Sequence, residues 1–271
     1  MLKTARSPAI AGLALSLGAC AATAPKVPYL AFVETEALPD VFVAGLPGSR
    51  AKQLAGDARG GRAGYRLLLP ADWTFGTGAS PDRSVELFVL RGRIALGELS
   101  LDAGGYAYLP PGFMGMNLES DTGAELLYFI DDADPRAVIR APLISSVAAG
   151  QWLPASDDPE DFGLSVLELR RDPGSGARTW LLKQEPVAAW RWQQESQPTE
   201  GYLLSGDLRH AECVGGRPAA GDYAAGGYFM RPAGAVHGGP QSRSAVESIW
   251  YLRSPGGSER RIVGGCNGAG P

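Results

Sequence analysis

The sequence is poor in the residue types that most often hold a catalytic metal. Its 271 residues include only two histidines, His210 and His237, and three cysteines. A catalytic first-row metal needs about three protein ligands, and neutral imidazole is its commonest nitrogen donor. A site built on three histidines is therefore excluded, and any metal in this chain would depend on carboxylate or amide oxygens.

Other absences exclude whole classes of function. The formal net charge is −4, and lysines and arginines are scattered singly, which excludes a nucleic-acid partner because such partners need clustered cations along the phosphates. No serine lies in a Gly-x-Ser-x-Gly pattern, and no phosphate-binding glycine loop follows a strand. After Cys20 no apolar run is long enough to form a transmembrane helix.

The amino-terminal residues have the pattern of a bacterial export signal. Residues 1–6 are cationic, and the apolar run at residues 9–17 is too short to span a bilayer. The sequence Leu17 to Cys20 resembles the lipobox of bacterial lipoproteins, in which the cysteine is acylated and becomes the first mature residue. Ala21, in place of an acidic residue, resembles the sorting signal for the outer membrane.

We therefore expect residues 1–19 to be a signal peptide and residues 20–30 a tether anchored by a lipid on Cys20. The protein would lie in the cell envelope, on the outer membrane facing the periplasm, and would contact the membrane only through that lipid. The alternative is an ordinary secretory signal cut after Ala19. Both kinds of signal lead out of the cytoplasm, where Cys213 and Cys266 could form a disulfide. The sequence alone does not show whether their Cα atoms lie within bridging distance.

A motif of glycine and proline occurs twice. Residues 104–112 read Gly-Gly-Tyr-Ala-Tyr-Leu-Pro-Pro-Gly, and residues 226–234 read Gly-Gly-Tyr-Phe-Met-Arg-Pro-Ala-Gly. Upstream of these motifs, Glu86 corresponds to Glu200. The repeat indicates two related halves, which we predict at residues 31–145 and 146–261, with a flexible glycine-rich tail at residues 262–271.

Within each half the apolar runs are short and are bounded by glycine and proline. Val85 to Leu90 and Gly201 to Leu204 are examples. Such runs favour strands over helices, and 37 glycines and 21 prolines provide many tight turns. The sequence therefore predicts an all-β protein, with a double-sheet jelly roll in each half.

The second motif resembles the second signature segment of the cupin superfamily. That segment has a glycine, then Pro-x-Gly, then histidine, and Gly226, Pro232, Gly234 and His237 match it in order and spacing. The whole mature chain is similar to a bicupin, which implies two tandem cupin barrels of the double-stranded β-helix, or jelly-roll, type. Residues 228–240 are most similar to the ChrR-like and DUF4437-type cupins, few of which have a defined activity.

The resemblance implies a divalent metal held by His-x-His, a glutamate and the histidine of the second segment. In the second half only Glu200 and His237 remain of this set, because the positions expected for His-x-His hold Gln194 and Ser196, or Gln193 and Glu195 in a register shifted by one. Glu195, Glu200 and His237, with or without Gln194, could hold Mn²⁺, Fe²⁺ or Mg²⁺. The alternative is that His237 is a buried histidine hydrogen-bonded to Glu200.

The first half has lost the corresponding residues. Ser80, Asp82, Glu86 and Gly115 occupy the matching positions, so we expect no metal in the first cupin domain. Tyr106 and Tyr228 share one position of the repeat, which predicts a common structural role, such as hydrogen bonding of the hydroxyl group.

Aromatic residues concentrate around the strands of the second half. We expect a ligand pocket there, lined by Gln194, Trp192, Tyr202, Tyr228 and Trp250. Aromatic side chains in strands are also common in plain hydrophobic cores, which is the structural alternative for each of them.

Two functions agree with these features. The first is a cell-envelope lipoprotein whose second barrel binds a small molecule and whose first barrel is structural. The second is a metal-dependent cupin enzyme, of the dioxygenase, carbon–carbon cleaving or isomerase type, with Glu195, Glu200 and His237 as metal ligands. A monomer is expected from the pairing of two halves within one chain, and a homodimer would form if exposed edge strands paired between chains.

Overall fold

The computed structural model describes residues 27–43, 45–56, 62–77, 80–113 and 116–266. Within these ranges the chain forms strands and three single-turn 3₁₀ helices and has no α-helix, so the predicted all-β fold class is confirmed. No helix in this part of the chain is long and apolar enough to cross a membrane. The signal peptide, Cys20, most of the tether and Gly115 lie outside the described residues.

The strands alternate with short turns along the whole chain. They are β1 (Leu30–Glu34), β2 (Asp40–Val41), β3 (Arg50–Gly56), β4 (Ala63–Gly76), β5 (Arg83–Leu96), β6 (Leu99–Asp102), β7 (Gly105–Leu109), β8 (Asn117–Asp132), β9 (Leu143–Ser146), β10 (Leu153–Pro154), β11 (Leu164–Arg171), β12 (Arg178–Gln184), β13 (Trp192–Glu195), β14 (Thr199–Ser205), β15 (Asp207–Val214), β16 (Arg217–Ala224), β17 (Gly227–Arg231), β18 (His237–Gly238), β19 (Ser248–Ser254) and β20 (Arg260–Ile262).

The strands form three antiparallel sheets. An eight-stranded sheet, built mainly from the first half, has the order β2-β3-β4-β8-β5-β7-β9, with β6 paired to β5. A seven-stranded sheet in the order β1-β17-β14-β19-β12-β11-β10 is built mainly from the second half, which also forms a five-stranded sheet in the order β16-β15-β18-β13-β20. The two sheets of the second half face each other across the cavity described below.

The two halves exchange their first strands. β1 pairs with β17 of the second half, and β9 pairs with β7 of the first half. Without this exchange, β7 and β17 would be edge strands with unpaired backbone N–H and C=O groups, and a strand from the other half pairs with each of them. The expected boundaries therefore need correction, because β1 lies in the sheet of the second half and β9 spans the expected boundary at residue 145.

The expected flexible tail is also corrected in part. β20 pairs with β13, where Gln193 lies opposite Ile262, and the N–H of Val263 donates to the carbonyl oxygen of Trp192 at 2.9 Å. Cys266 forms a disulfide with Cys213, with the Cα atoms 5.6 Å apart. Residues 262–266 are thus held by backbone and covalent bonds, and residues 267–271 lie outside the described residues.

The large sheets of the two halves pack against each other through alternate side chains. Phe88, Tyr106 and Phe129 of the first half share one buried cluster with Tyr228 and Tyr251 of the second. Because neighbouring side chains of a strand point to opposite faces, the residues between these positions face the interior of their own half.

The interior of the first half is filled by its own side chains. Val85, Leu87, Val89 and Leu109, none of which is exposed to solvent, belong to one apolar cluster. This cluster also contains Tyr128, whose hydroxyl donates to the carbonyl oxygen of Thr77 at 2.5 Å. The first barrel is therefore a packed hydrophobic core of ordinary kind.

Candidate ligand cavity of the second half

The second half encloses a cavity of about 330 Å³ between its two sheets. Trp180, Phe229 and Trp250 from the seven-stranded sheet line it, together with Trp190 from the loop before β13. Opposite them lie the polar side chains of the five-stranded sheet, above all His237. The cavity has the composition of a small-molecule site, with aromatic walls and a few polar groups.

β13 brings two of its four side chains to the cavity. Gln193 and Glu195 line it, whereas Trp192 and Gln194 do not, as the alternation of a strand requires. The ring of Trp192 packs on the other face against Gly239, where an added Cβ would come within 2.3 Å of the ring. The expectation that Trp192 and Gln194 line the pocket is therefore wrong.

β14 directs Glu200 away from the cavity. Thr199 lines the cavity, so its neighbour Glu200 points to the opposite face. There Glu200 accepts a hydrogen bond from the hydroxyl of Tyr228 at 2.6 Å and another from Nη1 of Arg253 at 3.1 Å. Glu200 and His237 therefore face different regions. The expected hydrogen bond between them is wrong, and so is the expected metal site in which Glu200 was a ligand.

Two of the expected pocket aromatics also lie at the contact between the halves. Tyr202 and Tyr228 belong to the shared cluster, whereas Trp250 lines the cavity. In the first half, the hydroxyl of Tyr106 donates to Glu86 at 2.9 Å, which repeats the bond between Tyr228 and Glu200. The predicted common structural role of the two tyrosines is confirmed.

Glu86 is held by two arginine side chains. Arg253 donates to it from Nη2 at 3.2 Å, and Arg170 lies 3.5 Å away. Burial raises the pKa of Glu86, but the two guanidinium charges outweigh this effect and the net shift is downward. Glu86 is thus an ionised carboxylate at the contact between the halves and does not face the first barrel's interior.

The polar side of the cavity contains a chain of three hydrogen-bonded groups. Nε2 of His237 lies 2.8 Å from Oε2 of Glu195, and Nδ1 of His237 lies 3.1 Å from Nε2 of His210. β15 pairs with β18 so that Glu212 lies opposite His237, and His210, two residues before Glu212, lies on the same face of β15. Nothing in the sequence around His210 marks it as a cavity residue, and only the register of β15 against β18 reveals it.

The charges along this chain follow from its surroundings. Burial raises the pKa of Glu195, but the nearby His237 and Arg231 lower it by more, so the net shift is downward. Burial, and then the charge of Arg231, lowers the pKa of His210 well below its usual value. We therefore assign Glu195 as a carboxylate accepting from His237, and His210 as a neutral imidazole whose Nδ1 has no partner among the described residues.

Behind the histidines lies a buried ion pair. Arg231 donates to Glu212 from Nη2 at 2.6 Å and from Nε at 3.0 Å, and the hydroxyl of Tyr29 donates to the same carboxylate at 2.7 Å. Burial raises the pKa of Glu212, but the charge of Arg231 outweighs it and lowers that pKa to about 2. Because every charge is paired, this wall is a fixed feature of the cavity.

The residues present do not fit a catalytic divalent metal. Three side chains with metal-binding atoms, Glu195, His210 and His237, line the cavity. Both ring nitrogens of His237 and Nε2 of His210 are already engaged in hydrogen bonds. No cluster of three or more suitable ligands occurs in the described parts of the chain. A carboxylate, an amide and two imidazoles that are hydrogen-bonded to each other fall short of the donor set that such metals require.

The disulfide lies next to this site. Cys213 follows Glu212 directly in β15, and its partner Cys266 ends the segment that begins with β20. β20 in turn pairs with β13, where Arg260 is opposite Glu195. The bond that the sequence left open is therefore present and fixes the carboxyl-terminal segment beside the cavity.

Comparisons with known proteins bear on the fold. No model of a known protein family matches the sequence, and no curated protein matches it. Among solved structures, a candidate dioxygenase from Nostoc punctiforme PCC 73102 is 19% identical with a TM-score of 0.67, covering 85% of this chain and 83% of that chain. The protein Ylba from E. coli, described by the family DUF861, is 17% identical with a TM-score of 0.65, covering 82% of this chain and 89% of that chain.

A similar fold occurs in an enzyme with two cupin barrels. A single-residue variant of oxalate decarboxylase from Bacillus subtilis is 11% identical with a TM-score of 0.59, covering 86% of this chain and 79% of that chain. The chain has a bicupin fold. At these identities the likeness concerns the fold alone, so the function must be argued from the chain's own residues.

Proposed function

We propose that this bicupin is a small-molecule binding protein of the cell envelope, with its ligand site in the second barrel and a structural first barrel. The observation that carries the proposal is the unequal filling of the two barrels. The first interior is an apolar cluster that includes Val85 and Leu109. At the same positions the second has Thr199 and Arg231, which line a cavity of about 330 Å³.

The details of the cavity support binding over simple packing. Four of its side chains carry buried polar atoms without a hydrogen-bond partner among the described residues: Trp190, Thr199, His210 and Trp250. Buried polar groups in folded proteins are almost always paired. An occupant with polar groups of its own would satisfy these atoms.

The envelope location is part of the same proposal. The export signal and the lipobox ending at Cys20 support it, and so does the disulfide between Cys213 and Cys266, because such bonds persist in oxidising compartments. We further propose that the chain belongs with the ChrR-like or DUF4437-type cupins. We also propose that it acts as a monomer, since its two halves already pack against each other within one chain.

The metal-dependent enzyme of the alternative hypothesis finds no support in the site. Its three ligands were to be Glu195, Glu200 and His237, and Glu200 faces the other half, bonded to Arg253. What remains is a hydrogen-bonded chain that fixes the orientation of His237.

A ligand screen tests the binding function. Purified protein without a histidine tag is heated with each member of a panel of periplasmic metabolites, and we expect at least one to raise the unfolding temperature in a concentration-dependent way. The same compound should fail to stabilise Thr199→Leu, whose side chain would occupy the cavity. Stabilisation of both proteins alike, or of neither by any compound, would contradict a site in the second barrel.

A further inference from the structure

Arginines outnumber carboxylates among the residues that line the cavity. Four arginines line it, and Glu195 is the one carboxylate among its lining residues. Arg231 is neutralised by Glu212, and Arg260 by Asp161. The remaining two arginines decide the balance.

Arg171 and Arg178 share a single carboxylate. Nη2 of Arg171 lies 2.6 Å from Oε2 of Glu168, and Nε of Arg178 lies 3.1 Å from the same oxygen. Two guanidinium groups and one carboxylate give this cluster of three side chains a net charge of +1. A ligand anion would complete the set, and hydrogen bonds between guanidinium and carboxylate are about twice as strong as neutral ones.

The walls of the cavity favour a flat occupant. The rings of Phe229 and Trp250 lie 5.4 Å apart, centroid to centroid, and the guanidinium of Arg178 stacks on Trp180 at 4.6 Å. Aromatic walls of this kind bind planar rings through stacked and edge-to-face contacts.

The unpartnered atoms of the walls favour oxygen acceptors. Nε1 of Trp190 and Nε1 of Trp250 are buried without a hydrogen-bond partner in the described residues, and an indole N–H can only donate. Trp250 is 2% exposed. Both indoles therefore require an acceptor, which a polar group of an occupant would supply.

We propose that the second-barrel cavity takes a small planar carboxylate, with its ring against Phe229 and Trp250 and its anionic group toward Arg178. This inference rests on the proposed binding function and names the ligand class of the same site. It follows from the shared carboxylate of Arg171 and Arg178, the aromatic walls and the unpartnered indole N–H groups taken together.

Calorimetric titration with three simple probes tests the ligand class. Benzoate has both the ring and the charge, benzamide keeps the ring without the charge, and acetate keeps the charge without the ring. We expect the dissociation constant of benzoate to be lower than that of either other probe by about tenfold or more. Raising the salt concentration should weaken benzoate and leave benzamide unchanged.

Variants separate the charge from the fold. Arg178→Gln should remove the preference for benzoate over benzamide, whereas Arg178→Lys should retain most of it. Arg209→Gln is the matched control, because Arg209 pairs with the exposed Asp222 and does not line the cavity. Thermal unfolding of each variant establishes that it is folded before titration.

Each outcome decides between the two proposals. Benzamide binding as tightly as benzoate, or a preference that survives Arg178→Gln, would overturn the carboxylate class and leave the binding function intact. Acetate binding as tightly as benzoate would overturn the planar ring. Binding of neither benzoate nor benzamide would also overturn the class, and the metabolite panel would then decide whether the cavity binds any ligand.

Discussion

Two carboxylates of the second half, Glu195 and Glu200, differ in environment although only four residues separate them. Glu195 faces the cavity and accepts from His237 at 2.8 Å, whereas Glu200 accepts from Tyr228 and Arg253 at the contact between the halves. The direction of each side chain, and not its identity, fixes its role.

A prediction at this scale concerns metal content. Protein expressed in medium supplemented with manganese and iron should contain far less than one metal per chain, because the cavity offers one carboxylate and two imidazoles that are hydrogen-bonded to each other. His237→Ala should not change that content, as elemental analysis would show. One metal per chain that is lost in His237→Ala would contradict this reading of the site.

Asp172 provides a second prediction, in stability. Its carboxylate accepts from the backbone N–H groups of Val138, Ile139, Gly174 and Ser175. Burial raises its pKa, but these bonds outweigh it and lower the pKa from 3.8 to about 2. Asp172→Asn should reduce the free energy of unfolding near neutral pH by about 1–3 kcal/mol, because a charged acceptor of several N–H groups is lost.

The sign of the pH dependence follows from the lowered pKa. The contribution of Asp172 is complete above the unfolded-state value of 3.8 and is lost as the pH falls through about 2. The difference between wild type and Asp172→Asn in urea unfolding should therefore shrink between about pH 5 and pH 2.5. Asp222→Asn, which changes an exposed ion pair with Arg209, is the control and should cost little. A difference independent of pH would refute the assignment.

At the scale of elements, the carboxyl-terminal strand depends on the disulfide. β20 makes a short pairing with β13, and the Cys213–Cys266 bond closes a stretch of 53 residues around it. Reduction should lower the free energy of unfolding by about 2–4 kcal/mol and weaken ligand binding, since Arg260 lines the cavity. The double variant Cys213→Ser/Cys266→Ser should be insensitive to reductant, and an unchanged unfolding midpoint of reduced wild type would contradict the prediction.

The elements also explain how far the sequence could be interpreted. The bicupin fold could be predicted because two copies of a glycine-proline motif survive, at residues 104–112 and 226–234. The direction of the Glu200 side chain could not be predicted, because a shift of one residue in a strand moves every side chain to the other face. The register of β14 is set by the strands beside it. His210 was missed for the same reason, since only the pairing of β15 with β18 brings it to His237.

For the whole molecule, the contact between the halves is both a core and a charged network. The guanidinium group of Arg253 donates to Glu200 at 3.1 Å, to Glu86 at 3.2 Å and to Asp131, so one cation joins carboxylates of both halves. The exchange of β1 and β9 adds a backbone connection in each direction. Sequence patterns could not reveal this exchange, because each strand pairs with a segment far away along the chain.

The unequal interiors of the two barrels are the central claim, and one pair of variants tests it directly. Val85 and Thr199 hold the same position in the two halves. Val85→Leu adds volume to a filled core and should lower the free energy of urea unfolding by about 1–3 kcal/mol. Thr199→Leu replaces a hydroxyl without a partner among the described residues and extends into open space, so it should change that free energy by less than about 0.5 kcal/mol or raise it. If Thr199→Leu destabilised the protein as much as Val85→Leu, the second barrel would be packed like the first, and the account would fail.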